Sequence, residues 1–213
     1  MENDTPVRGA EFWDERYRSS KRIWSGNANP QLVAEAEGLS PGRALDVGCG
    51  EGADAIWLAE RGWDVVGMDI SQVALDRAAA HARETAPGAA ARISWQQADL
   101  IQSPPPPDAF DLVNVQFMHL PSAPRATMFR GLAAAVRAGG TLLVVAHHPS
   151  DLESGVKRPP DPDLYYTAEA IAELLGDSWT VETSDARARS QNSSDNQPAT
   201  VHDTVLRARR ARG

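Results

Sequence analysis

Residues 45–52 read LDVGCGEG: a short apolar stretch carrying Asp46 runs into glycine at every second position. Glycine has no Cβ, so it reaches left-handed backbone and lets the main chain approach a ligand that a side chain would hold off. Such a turn belongs after a buried strand, and RALDVG is apolar enough to be one. Working outward, ADAIWLAERG reads as a helix closed by Gly62, and WDVVGMDI as a second strand. SQVALDRAAAHARETA reads as a second helix, with Ser71 at its N-cap and Pro87 just past its end. RISWQQADL is a third strand running to Asp99. The four prolines of QSPPPPDA exclude a helix or a central strand there. FDLVNVQFM is a fourth strand, PRATMFRGLAAAVRAGG a helix with a Gly-Gly stop, and TLLVVAHH a fifth strand.

This alternation predicts an α/β fold, a Rossmann-like doubly wound and mostly parallel sheet. The continuous apolar runs DLVNV and LLVV fit strands covered on both faces. Beyond Pro149 the pattern changes. SDLESGVKRPPDPDLYY is too rich in proline and charge for core, and TAEAIAELLGD reads as a short capped helix. WTVETSDARA and VHDTVLRARR, joined by SQNSSDNQPA, read as an antiparallel C-terminal hairpin closing one edge of the sheet.

Composition narrows the partners. Lys+Arg of 21 against Asp+Glu of 29 leaves a net charge of −8, which gives no general attraction to phosphate backbones or anionic lipid. The terminal RARRAR reads as a solvated end. Cys49 is the only cysteine, so neither a disulfide framework nor a four-cysteine metal site is available, and no metal ligands are assigned. The acidic start MENDTPVRGAEFWDE does not read as a signal peptide, and no apolar stretch approaches the ~20 residues of a membrane span. The expectation is a cytoplasmic protein with no nucleic-acid and no membrane partner.

In an open parallel sheet, ligands bind beyond the carboxyl ends of the strands, at the turn after the first. Gly48, Gly50 and Ala53 fit the wider G-x-G-x-x-A pattern of a dinucleotide site, the mark of a nicotinamide-dependent oxidoreductase. The charges argue for a different ligand. Asp46 and Glu51 flank the turn, where carboxylates would repel a pyrophosphate but stabilise a sulfonium and an ammonium. Asp69 ends the second strand, placed to accept ribose hydroxyls, and Asp99 ends the third, placed to accept from an adenine amino group. Any one of these acids alone reads as a turn or helix cap; three in phase point to an adenosyl ligand with positive charge.

LDVGCGEG, VVGMDIS, QQADL and FDLVNVQFMHL, followed by AGGTLLVV, resemble the successive motifs of class I S-adenosylmethionine-dependent methyltransferases, over about Phe12 to Arg210. The stretch FWDERYRSSKRIWSGNANP is similar to the opening of small tellurite-resistance-like and thiopurine-like methyltransferases. The resemblance implies S-adenosylmethionine as cofactor. Asp46 with the backbone of Gly48, Cys49 and Gly50 would hold its methionine part, with Gln116 alongside. Asp69 would take the ribose hydroxyls and Ile70 the adenine face. Asp99, with Leu100 beside it, would read the adenine amino group, and Trp24 would cover the bound cofactor. Cys49 has no visible catalytic partner and reads as packing.

One domain, 1–213, is expected, with a lid segment 1–39 carrying Phe12, Trp13, Tyr17 and Trp24. A cofactor-binding core 40–150 and an acceptor-side segment 151–213 follow. The expected partner is a small-molecule acceptor with an O, S or N nucleophile, thiols and soft chalcogen species included, and the oligomeric state is left open. Strand four reads NVQF and lacks an NPPY-like string, which disfavours base methylation. His119, His147 and His148 follow strands four and five at the carboxyl edge and are the candidate general bases, against a structural hydrogen-bonding role for each. His81, placed on the outer face of the second helix, and His202, on the hairpin, are set aside. Tyr165 and Tyr166 are candidate pocket walls. Two alternatives stand beside methyl transfer: the nicotinamide-dependent oxidoreductase, and a non-catalytic protein that binds S-adenosylmethionine.

Overall fold

The computed structural model describes residues 6–193 and 195–212; the acidic residues 1–5, read above as no secretion signal, lie outside them. The elements run α1 (Ala10–Arg18), α2 (Pro30–Ala36), β1 (Arg43–Val47), α3 (Ala53–Glu60), β2 (Asp64–Asp69), α4 (Gln72–Thr85), α5 (Pro87–Ala90), β3 (Ile93–Gln97), β4 (Phe110–Gln116), α6 (Ser122–Ala135), β5 (Val136–His147), α7 (Ala168–Ala172), β6 (Trp179–Asn192) and β7 (Pro198–Arg210). They build a seven-stranded sheet in the order β3-β2-β1-β4-β5-β7-β6. The first five strands pair in parallel, and β7 pairs antiparallel with both β5 and β6. The order reverses between β1 and β4, which opens a crevice at their carboxyl ends.

Neighbouring residues of a strand face opposite ways. Leu142 and Val144 of β5 therefore join Phe110, Phe129 and Leu132 on one side of the sheet, while Leu143 and Val145 join Leu32, Leu58 and Leu112 on the other. Burial on both faces is why LLVV is continuous rather than alternating. Ser71 caps α4 through Ala74 N–H, and Thr167 caps α7 through Ala170 N–H.

Four expectations are corrected. The strand expected to reach Asp99 stops at Gln97, because Asp99 turns its carboxylate back onto the Ile101 and Gln102 amides. Gly139 and Gly140 stop no helix: α6 already ends at Ala135, and both glycines lie within β5. The β4–β5 register shifts between Phe110 and Leu112, and a Cβ on Gly140 would come within 3.0 Å of the Asp111 carbonyl, so the glycine pair serves a bulge. The RARRAR end is not a free tail either. Arg207 pairs with Glu35 and Glu182, Arg209 with Glu182, and Arg210 with Asp108. Finally, the proline-rich segment after Pro149 does reach the core, since Tyr166 is buried beside Phe129 with ring centroids 5.9 Å apart.

Glu35 ties α2 to the hairpin. It is 6% exposed and ion-paired with Arg187 and Arg207, and it accepts the Thr183 hydroxyl at 3.1 Å. Removing it leaves two guanidiniums facing a buried gap. Glu35→Ala is expected to destabilise the fold by about 2 kcal/mol, reduced from a fully buried pair because both arginines keep some solvent. Urea denaturation checks this, and a midpoint equal to wild type would contradict it.

Candidate active site

The turn after β1 sits at the reversal of strand order, and Gly48, Gly50 and Gly52 all adopt positive φ (63°, 52° and 85°). Cys49 N–H donates to Met68 O at 3.0 Å and Gly52 N–H to Cys49 O at 2.9 Å, which folds the turn back over the end of β2. Gly50 N–H donates to Asp69 Oδ2 at 2.9 Å, and Ser71 N–H to Asp69 Oδ1 at 2.8 Å. Asp69 is thereby clamped between the glycine turn and the start of α4, 8% exposed, and burial pushes its pKa up. Ile70 follows it, partly buried, its carbonyl accepting Gln97 Nε2 at 3.0 Å. Leu100 is buried in the core beneath the next turn. Burial and then the Asp46 carboxylate push the Cys49 thiol up, so it is held protonated, as suits a packing role.

Asp46 and Gln116, expected on one ligand, are joined through a residue the sequence reading passed over. Asn114, buried in β4, donates to Asp46 Oδ1 at 2.8 Å, and Gln116 Nε2 donates to Asn114 Oδ1 at 2.6 Å. Asn114 thus orients both neighbours, Asp46 through its amide nitrogen and Gln116 through its amide oxygen. What remains is Asp46 Oδ2 and Gln116 Oε1, two buried oxygens without a hydrogen-bond partner among the described residues. Buried acceptors left unmet are costly, and here two sit at the ends of adjacent strands where a ligand is expected. Burial, then the charge of Asp54, pushes Asp46 well up. Burial also lifts Asp54 to about 6, although Asn29 N–H donates to it at 2.7 Å.

The lid segment lies on this turn. Glu51 Oε2 accepts the backbone N–H of Ile23 and of Trp24, each at 3.1 Å, while Oε1 meets Arg77 at 3.2 Å. Its charge is matched by Arg77 and the lid amides, so Glu51 is a clasp for the lid and not the free negative field expected from the sequence. Trp24 Nε1–H donates to Tyr17 Oη at 2.9 Å, and both atoms lie where a Cβ on Gly50 would point, at 3.1 and 3.0 Å. Tyr17 is 2% exposed, but Trp24 keeps 47% of its surface in solvent. From α1, Asp14 accepts the Ser71 hydroxyl at 2.6 Å, fastening the lid helix to the start of α4.

The histidines divide. His119 and His147 stack with ring centroids 5.0 Å apart, and Phe117 packs on His147 at 4.6 Å. Phe117 adopts φ 51°, unusual for an aromatic residue and a mark of backbone held to purpose. Burial, then the Arg158 charge, lowers His119 to about 4 and His147 to about 3, so both rings are neutral at pH 7. His119 Nε2 and His147 Nδ1 are buried without hydrogen-bond partners among the described residues. His148 does not join them; its Nδ1 meets Ser150 Oγ at 3.0 Å, and the same hydroxyl lies 3.2 Å from His202 Nδ1. Neighbours at a strand end point apart, so HH cannot place both rings in one pocket. His81, expected on the outer face of its helix, instead turns Nδ1 toward Glu51 O at 3.4 Å. Tyr166 donates to Met118 O at 3.1 Å and Tyr165 to Pro159 O at 2.6 Å, which holds the segment after β5 across the end of β4.

Residues 44–140 match the family described as "Methyltransferase domain", and the fold is shared with solved S-adenosylmethionine-dependent methyltransferases. A solved structure from work on the conversion of a disulfide bond into a thioacetal group during echinomycin biosynthesis superposes with a TM-score of 0.73 at 25% identity, covering 95% of this chain and 91% of that one. TehB from Haemophilus influenzae shares the fold, with a TM-score of 0.69 at 18% identity, over 94% of this chain and 66% of that one. Methyltransferase GfsG of Streptomyces halstedii is 30% identical over 137 residues, 62% of this chain and 48% of the relative. The chain spans about half or less of the length of the first curated relatives it matches (18%, 48% and 52%).

Proposed function

We propose that the protein transfers the methyl group of S-adenosylmethionine to a small-molecule nucleophile in the crevice between β1 and β4. The observation that carries this reading is the pair of buried, unpartnered oxygens, Asp46 Oδ2 and Gln116 Oε1. They suit a ligand group that is cationic and rich in N–H donors, such as the ammonium of the cofactor's methionine part, and would repel a pyrophosphate. The backbone of Gly48, Cys49 and Gly50, with both glycines at positive φ, would lie along the methionine part beside them. Asp69 keeps a lone pair on each oxygen for ribose hydroxyls, with Ile70 against the adenine ring and Asp99 and Leu100 at its far edge. Trp24, held through Tyr17 and Glu51, covers the site. When bound, the cofactor supplies a methyl group already activated by the sulfonium charge. This chain's residues then have to orient the nucleophile, exclude water and take its proton.

His119 and His147, uncharged at pH 7 and so free to accept, are the candidates for that last task, with His148 outside the pair as a less direct one. The segment 151–213 lies on the acceptor side of a single domain whose lid is 1–39 and core 40–150. A small acceptor with an O, S or N nucleophile, thiols among them, is favoured over a polymer by the covered site and the net charge of −8. GfsG, among the similar proteins, is likewise named a methyltransferase.

Isothermal titration with S-adenosylmethionine, S-adenosylhomocysteine and NADH tests the reading. Micromolar binding of both adenosyl ligands and none of NADH is the expected result. Asp69→Asn should weaken S-adenosylmethionine about tenfold through the lost charged acceptor, whereas Asp177→Asn, at an exposed site, should not. A preference for NADH, or no adenosyl binding, would overturn the assignment.

A further inference from the structure

His147 ends β5 with its side chain 15% exposed, yet its Nδ1 is sealed from solvent and has no hydrogen-bond partner. The remaining exposure therefore belongs to the rest of the ring. Oδ2 of Asp151 lies 3.7 Å from that nitrogen. This is longer than a formed hydrogen bond, but both atoms are shut away from solvent, Asp151 being 1% exposed, so Oδ2 is a near, unscreened charge to that nitrogen.

Asp151 is fixed from several directions. It sits in a 3-10 turn, Pro149–Glu153, immediately after β5. Its Oδ1 accepts His202 N–H from β7 at 2.8 Å, and its Oδ2 accepts Arg158 Nε and Nη2 at 3.2 and 3.1 Å. Arg158 is in turn held by Gln191 of β6 at 3.0 Å. The carboxylate charge is thus matched by a guanidinium, which explains why Asp151 does not raise His147. Burial and the charges of Arg158 and Arg189, with His119 stacked on the ring, keep His147 unprotonated.

A carboxylate only accepts. A neutral imidazole whose Nδ1 faces one has two choices: an N–H aimed at an acceptor, or a lone pair aimed at lone pairs in a buried setting. The first is attractive and the second repulsive, by more than water would allow. We propose that Asp151 is a positioning residue: it fixes His147 as the Nδ1–H tautomer and so leaves Nε2 as the bare nitrogen that takes the acceptor's proton. This rests on the methyl-transfer reading above. As the acceptor's bond to the methyl carbon forms, the bond from that carbon to sulfur breaks and its electron pair stays on sulfur. The acceptor's proton passes to His147 Nε2, and the imidazolium later releases it to solvent. One positive charge leaves the sulfonium and one appears on His147 until that release.

Long-range proton–nitrogen correlation of 15N-labelled protein at pH 7 reads the tautomer directly, without knowledge of the acceptor. His147 is expected to show a protonated Nδ1 and a bare Nε2 as its major form. A wild-type His147 protonated on Nε2 overturns the proposal with no variant needed. The paired replacement Asp151→Leu with Arg158→Met removes the ion pair without stranding either charge, and should raise the Nε2–H form to at least parity. An unchanged tautomer in that folded variant also overturns it. Titration of the same wild-type sample with S-adenosylmethionine separates the two levels: no binding removes the methyl-transfer reading, whereas binding with the wrong tautomer removes only the role of Asp151.

Discussion

Alanine at Gly50 is expected to weaken S-adenosylmethionine binding by two orders of magnitude or more while the sheet stays folded. Gly50 holds φ 52°, a conformation that costs an L-residue roughly 1–2 kcal/mol. A Cβ there would stand 3.0 Å from Tyr17 Oη and 3.1 Å from Trp24 Nε1, the two atoms whose hydrogen bond closes the lid. Neither ring moves freely, because the Trp24 backbone is bonded to Glu51 and Tyr17 is buried. The alternative is for the turn to shift, which pulls Gly50 N–H away from Asp69. Either response disturbs a group assigned to the cofactor. A hundredfold loss corresponds to about 2.8 kcal/mol, within reach of strain and one charged hydrogen bond together. Gly88→Ala, where a Cβ meets nothing within 4 Å, is the matched control. Calorimetric titration of both variants checks the claim, and a Gly50→Ala protein binding within threefold of wild type would sink it.

The parts legible in the sequence are those decided by neighbours along the chain. Strand–helix alternation, the Ser71 and Thr167 caps and the position of the glycine turn all follow from periodicity and capping chemistry, and β1, β2, β4 and α4 stand where these place them. Gly139 and Gly140 show the limit. A glycine pair after an alanine-rich run looks the same whether it stops a helix or relieves a bulge, and only the partner strand distinguishes the two. The arginines of β7 were misread for a similar reason: Glu35, which neutralises Arg207, is 172 residues away. In the site, Asn114 carried a signal, since an amide inside DLVNV has to find partners when both faces are covered. The separation of His147 from His148 was also derivable, from alternation at a strand end. Asp151 and Arg158 were not, because nothing local says that an acid in a proline-rich stretch will be buried against an imidazole.

Asp46→Asn should weaken S-adenosylmethionine about a hundredfold at pH 8 and much less at pH 5. Burial and then the charge of Asp54 push Asp46 up, and burial lifts Asp54 to about 6, so these neighbouring acids hold on to a proton in weakly acidic solution. Asn114 already donates to one oxygen of Asp46, which leaves Oδ2 to carry the interaction with a cation. A cationic ligand stabilises the ionised form, so binding expels the proton wherever one is held. The sign follows from linkage: affinity rises with pH for as long as the free protein holds that proton, with a limiting slope of tenfold per unit, and is flat once the proton is lost. Asparagine keeps the size and the bond to Asn114's neighbourhood but removes the charge, worth about 2–3 kcal/mol for a charged hydrogen bond. At low pH the wild-type acid is itself neutral, so the two proteins converge. An affinity ratio that stays constant between pH 5 and pH 8 would show that Asp46 shapes the turn without meeting the cofactor's charge, and the assignment of Asp46 Oδ2 to a cation would fall with it.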